Sequence, residues 1–201
     1  MKGLEKLTSI RLAEVLSQKG VVPTEKITDA LYTQDKHGEP FVEVLVTAGH
    51  ITEWDLAKMV VENFQLPFVM ASSYDIQKEV KEKLHEDLIF QHQIVPLDLY
   101  GNLLTIAMPI LTPYDTIEKI QRKHDVEIFP YVGLITENKK VIGEQWAAYK
   151  EWQKKQEEVR ERAREKKAAA AAQGGGAAGG GGWANIFDSA DAAVRQAKQK
   201  K

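Results

Sequence analysis

Few residues in this 201-residue chain have the types and spacings that catalysis needs. There is no Cys, which removes thiol nucleophiles, zinc ribbons and disulfide-stapled scaffolds together. The five histidines, His37, His50, His85, His92 and His124, show neither the H-x-H nor the H-x-x-x-H spacing that aims two imidazoles at one metal. No metal site is expected. His85-Glu86-Asp87 sets an imidazole beside two carboxylates, the raw material of acid–base chemistry, but reads as a solvated helix face. There is no Gly-x-Ser-x-Gly elbow, and Ser72-Ser73 suits a helix cap better than a nucleophile. The phosphate-loop pattern G-x-x-x-x-G-K-[ST] is absent, and the Gly-rich window 174–182 has no Lys after it and no strand before it. The expectation is a protein that is not an enzyme, has no catalytic residues and carries no ATPase motor.

Composition narrows the class further. At 43% hydrophobic and 28% charged, the chain has an ordinary globular make-up. Charge is unevenly placed: residues 1–149 carry a net −7 and residues 150–201 a net +5. An acidic globular part argues against a nucleic-acid polymer as ligand. No apolar run of the length needed to span a membrane occurs, and Met1 to Lys6 lacks the apolar stretch of a signal peptide. The expected compartment is the cytoplasm.

The elements that would position any site begin with a repeat. Offsetting the chain by 29 residues superposes Glu14-Val15-Leu16 on Glu43-Val44-Leu45, Gly20 on Gly49, Val22 on Ile51, Ile27 on Leu56 and Gln34 on Asn63. Each unit has one plan. A short amphipathic helix ends at a Gly suited to the left-handed position, and a second helix follows a start signal. Pro23-Thr24-Glu25 opens the second helix of the first unit, and Thr52 is the expected N-cap in the second. Two helical hairpins in tandem are predicted over residues 1–65.

From Phe64 the periodicity changes. Leu66-Pro67-Phe68-Val69 reads as extended, and Ser73 or Asp75 as the cap of one helix carrying Val80, Leu84, Leu88 and Ile89. Ile94 to Leu99 and Leu103 to Met108 form a hairpin about Tyr100-Gly101-Asn102. A helix follows Thr112-Pro113, a third strand covers Val126 to Val132, and a last helix runs from Thr136 through Trp146 and Tyr149. Residues 66–149 are thus a small ββαβα segment, and the fold class is α+β.

These residues resemble a known family. Arg11 to Gln34, a spacer Asp35 to Glu39, and Pro40 to Asn63 follow the layout of MshEN domains, the N-terminal domains of type II secretion and type IV pilus assembly ATPases (GspE- and PilB-like), with the ATPase motor missing. "LPFV", "IVPLDLYGNLLTIAMP" and "TENKKVIGEQWAAY" resemble the rest of that domain, and the likeness covers about residues 11–149. It implies cyclic di-GMP as a regulatory ligand, with no other cofactor. The positions it points to are Arg11, Leu12, Leu16, Gly20, Val22 and Gln34 in the first unit, and Leu45, Gly49, Ile51 and Asn63 in the second. A guanidinium fits the two acceptors of a guanine edge, aliphatics cover the base, and glycines let backbone come close. The second unit departs from the pattern at its start, Pro40-Phe41-Val42, where it has no Arg.

Beyond the module, Trp146, Tyr149 and Trp152 stand three apart, as on one packing face of a helix. Residues 150–172 are Lys/Glu/Arg- and then Ala-rich, a helix by propensity without the apolar repeat of a coiled coil. Residues 173–182 read as a flexible Gly/Ala linker. Residues 183–201 place Trp183, Ile186, Phe187 and Val194 on one helical face, a peptide suited to a partner's groove or, as the lesser alternative, a membrane surface. The resulting expectation is an adaptor that docks on protein components of a secretion or pilus machine. The rival is a protein-binding module without a nucleotide.

Overall fold

Thr8 starts the first helix: its Oγ1 accepts the Arg11 N–H at 3.1 Å, satisfying one of the four free donors of a helix start. The computed structural model describes residues 3–173. Helix α1 spans Ser9–Lys19 and stops at Gly20, which is left-handed at φ 63. Helix α2, Thr24–His37, follows Pro23, and α3, Phe41–Thr47, follows Pro40. Helix α4, Glu53–Phe64, starts at Thr52, whose side chain accepts the Asp55 N–H. The two tandem hairpins are present as predicted.

The next segment corrects the sequence reading. A 3-10 turn spans Ala71–Ser73, and Ser73 Oγ donates back to the Met70 carbonyl instead of capping a helix. Two short helices replace the single one expected: α5, Lys78–Lys83, and α6, Glu86–His92. Leu84 and His85 between them are extended, with Leu84 buried. Gln77, and not Asp75, occupies the N-cap position of α5.

Strands β1, Val95–Tyr100, and β2, Leu103–Pro109, pair antiparallel across Gly101-Asn102. Helix α7, Tyr114–His124, then crosses over to β3, Glu127–Gly133, which lies parallel to β2. The sheet order is β1-β2-β3. The Leu66–Val69 stretch extends this layer: Val69 N–H donates to the Val132 carbonyl at 3.0 Å, and Val132 N–H to the Pro67 carbonyl at 2.8 Å. Helix α8, Ile135–Gln145, ends at an extended Trp146, and α9, Tyr149–Gln173, begins three residues later. The single last helix of the sequence reading is therefore two. Trp146 is buried on its own side of the break, while Tyr149 and Trp152 stack at 5.9 Å and meet Phe90 at 5.2 and 5.8 Å.

Residues up to Gln153 form one compact unit; the described residues from Lys154 to Gln173 belong to a second and are helical. Within the first unit the helical half and the ββαβα half share one core. Leu12, Leu16, Ile27, Phe41, Leu45 and Leu56 from the front are fully buried in the same cluster as Ile89, Ile94, Leu97, Leu104 and Ile106 from behind. Each such side chain contributes roughly 1.5–3 kcal/mol by leaving water. Polar ties reinforce the seam. Glu53 of α4 accepts both the Thr136 N–H, at 2.8 Å, and the Thr136 hydroxyl, at 2.6 Å, so it caps α8 from across the chain. Glu43 of α3 accepts from Gln93 at 2.8 Å and pairs with Lys139 at 3.0 Å. Asn138, fully buried in α8, donates to the Gln93 and Ala107 carbonyls at 2.9 and 3.1 Å.

Candidate nucleotide-binding units

The two 24-residue units end their first helices identically. Val21 N–H donates to the Leu16 carbonyl at 3.3 Å and Gly20 N–H to Ser17 at 3.1 Å. In the second unit His50 N–H donates to Leu45 at 3.1 Å and Gly49 N–H to Val46 at 3.0 Å. This crossed pair is the Schellman arrangement, which requires a left-handed residue at its turn. Gly20 and Gly49 supply it at φ 63 and 71. Above both Cα atoms lies open space, since a Cβ at either would meet nothing within 4 Å.

The ten residues singled out from the sequence separate by exposure. Arg11, Gly20, Gly49 and Asn63 are at the surface and Gln34 is half-buried. Leu12, Leu16, Val22, Leu45 and Ile51 are core residues. Those five fix the helices from which the surface set is presented; here they offer no open face of their own. The Arg11 guanidinium is 61% exposed and contacts Glu14 at 2.5 Å on the same helix. A pair this exposed is held weakly. Gln34 Oε1 accepts from Ser9 Oγ at 2.7 Å and from Phe41 N–H at 3.3 Å, joining the starts of α1 and α3. Asn63, its counterpart, instead donates to the Met59 carbonyl within its own helix. Trp183, Ile186, Phe187 and Val194 lie outside the described residues.

A surface feature that the sequence reading did not single out lies on α4. Trp54, Ala57, Lys58 and Val61, at helical i, i+3, i+4 and i+7 spacing, line a groove of about 270 Å³ together with Phe68. Trp54 is 57% exposed and its ring sits 5.5 Å from that of Phe68. The spacing was legible; Phe68, which closes the groove, comes from a segment that only the fold brings there. Among the described residues no three His, Asp or Glu side chains converge as a metal site would need, and no helix is long and apolar enough to cross a membrane.

Comparison with known proteins follows the same outline. The MshEN domain family matches residues 64–137. The type IV pilus assembly ATPase PilB of Thermus thermophilus is 25% identical over 123 residues, which are 60% of this chain and 14% of that protein. The chain thus spans about one-seventh of that relative's length. Among solved structures, that of MshE with cdg superposes with a TM-score of 0.54 at 18% identity, covering 68% of this chain and 99% of the other. The N-terminal domain of XpsE gives 0.54 at 22% identity, covering 69% and 96%. These two likenesses are likenesses of fold. The resemblance to MshEN-type N-terminal domains of secretion and pilus ATPases is borne out, with the family match falling on residues 64–137, after the two 24-residue units.

Proposed function

We propose that this chain is a non-catalytic regulatory module of a type II secretion or type IV pilus-like machine, binding cyclic di-GMP through its two 24-residue units. The observation that carries the reading is the matched pair of helix ends at Gly20 and Gly49, with open space over each. Backbone without side chains at two equivalent turns admits the close approach of a two-fold ligand. The exposed Arg11 guanidinium, paired with an exposed Glu14, can exchange that partner for a guanine edge. Further support comes from MshE, a protein of the same fold whose structure was solved with cdg. Residues 183–201 would supply the docking element toward the machine.

The second reading, a protein-binding module without nucleotide, is favoured by the start of the second unit, where Pro40 and Phe41 stand and no guanidinium does. Calorimetric titration of the full chain with cyclic di-GMP separates the two. Saturable heat in the micromolar range supports the first. Its absence at high micromolar ligand leaves the second.

A further inference from the structure

One face of the sheet is covered; the other is covered at Ala107 and Gly133, beside Asn138 of α8, and open around Tyr100 and Phe129. Ile106 and Met108 of β2 and Ile128 and Val132 of β3 point into the core. Strand alternation sends the intervening residues the other way. The register sets them in rows. Tyr100, Leu103 and Glu127 stand side by side, then Asp98, Thr105 and Phe129. Tyr131 continues β3 opposite Ala107. All but Ala107 keep solvent contact: Tyr100 is 65% exposed, while Phe129 and Tyr131 are half-buried with rings 5.3 Å apart. Tyr74, beside the 3-10 turn, is 36% exposed and near enough to Tyr100 to act on it electrostatically. The Asp98 carboxylate, whose Oδ1 accepts the Leu99 N–H at 2.8 Å, holds the Tyr100 phenol above its ordinary value of 10.0, and Tyr74 and Tyr131 act in the same direction.

This face therefore combines aromatic rings with two carboxylates, Asp98 and Glu127. Among the described residues neither has an ion-pair partner. Ring faces carry negative potential, and a guanidinium can stack on one while pairing with a carboxylate. A purely apolar partner would desolvate the Asp98 charge without supplying a counter-charge. Phosphate would be repelled. A second copy meeting face to face would set carboxylates against carboxylates. We propose that the open face of the sheet docks an arginine-bearing segment of a partner protein, with a guanidinium lying on Tyr100 and paired to Asp98. The face lies outside the two 24-residue units, so this proposal and nucleotide binding stand or fall separately.

The test uses the full chain and two synthetic seven-residue peptides, one alternating Arg with Ser and one alternating Glu with Ser. Ring-proton NMR signals of Tyr74, Tyr100 and Tyr131 are followed during titration at low salt. The Arg peptide should shift them saturably and the Glu peptide should not. Tyr100→Ala and Asp98→Asn should each weaken binding about fivefold, within the range of a ring–cation contact. Asp29→Asn on α2 removes the same single charge elsewhere and should leave affinity unchanged within about twofold. The near-isosteric Asp98→Asn keeps the test valid should Tyr100→Ala fold poorly. The proposal is overturned if the rings do not shift, or if the largest shifts fall at Trp54. An equal loss for Asp29→Asn also overturns it, as does sedimentation showing a dimer that Tyr100→Ala dissociates.

Discussion

Gly20 and Gly49 close equivalent helices, 29 residues apart, with the same crossed pair of backbone hydrogen bonds. Because a Cβ at either position would meet nothing within 4 Å, the cost of a side chain there comes first from the left-handed backbone. A β-branched residue at positive φ is disfavoured by roughly 1–2 kcal/mol or more. Gly20→Val and Gly49→Val should each lower the urea midpoint by a corresponding amount, and Asn at the same positions should cost less. Equal losses for Val and Asn would show that the turn is not held by its left-handed residue.

Arg11 carries the prediction for the ligand. If the two units bind cyclic di-GMP, Arg11→Ala should weaken binding by about 1–3 kcal/mol, the worth of a bidentate guanine contact. Its melting temperature should barely change, because the Arg11–Glu14 pair is exposed. An unaltered calorimetric affinity in Arg11→Ala would remove it from the site.

Asn138 is a structural counterpart, holding two carbonyls of other segments from its place on α8. Asn138→Ala leaves both without that donor in a buried place, at a cost of about 1–3 kcal/mol for each group. Thermal denaturation should show a loss of several degrees with cyclic di-GMP binding unchanged. An unaltered melting temperature would mean the two carbonyls find other donors.

Two histidines set a pH dependence. Burial lowers the pKa of His124 from its ordinary 6.5, with the Lys123 ammonium adding to it, and burial alone lowers that of His92. The His124 Nε2 is buried without a partner among the described residues; the Lys83 backbone favours the charged ring, while the His85 and Lys83 charges weigh against it less strongly than burial does. Both groups bind protons more readily unfolded than folded. Their contribution is complete above pH 6.5 and is lost as pH falls through the folded values. The urea midpoint should therefore drop between about pH 7.5 and 5.5, and His124→Gln should reduce that drop. A variant with the wild-type pH profile would assign the effect elsewhere.

The sequence made some features legible and hid others for identifiable reasons. Helix starts behind Thr8, Pro23, Pro40 and Thr52 follow from local chemistry, as do the stops at Gly20 and Gly49. The breaks at Leu84-His85 and Trp146 have neither Gly nor Pro to mark them. Val80, Leu84 and Leu88 fit a helical stripe, yet the chain turns extended at Leu84, where the core takes that side chain. Helices α4, α6 and α7 end on left-handed Gln65, Gln93 and Asp125, positions where glycine is the usual signal. Ile110, at φ 56, is held in a region that β-branched residues avoid; its N–H reaches the Gly133 carbonyl at 3.0 Å. In the candidate site, residue types pointed to Gln34 and Asn63 as a matched pair. Only the fold shows Gln34 engaged with Ser9 and Phe41, and Asn63 turned onto its own helix.

The mixed pairing of the sheet also favours an order of assembly. Tyr100 and Leu103 meet across a two-residue turn, whereas every β2–β3 pair joins residues 24 positions apart. Loop-closure entropy makes the hairpin the early, local event and leaves the parallel pairing until α7 has brought β3 back. That same strand receives the Phe68 segment through Val132, so its arrival also fastens the exit from α4. During synthesis the helical hairpins are therefore complete in sequence before the strand that secures them exists. In that interval their apolar undersides depend on the ribosome-bound chain finding no other partner.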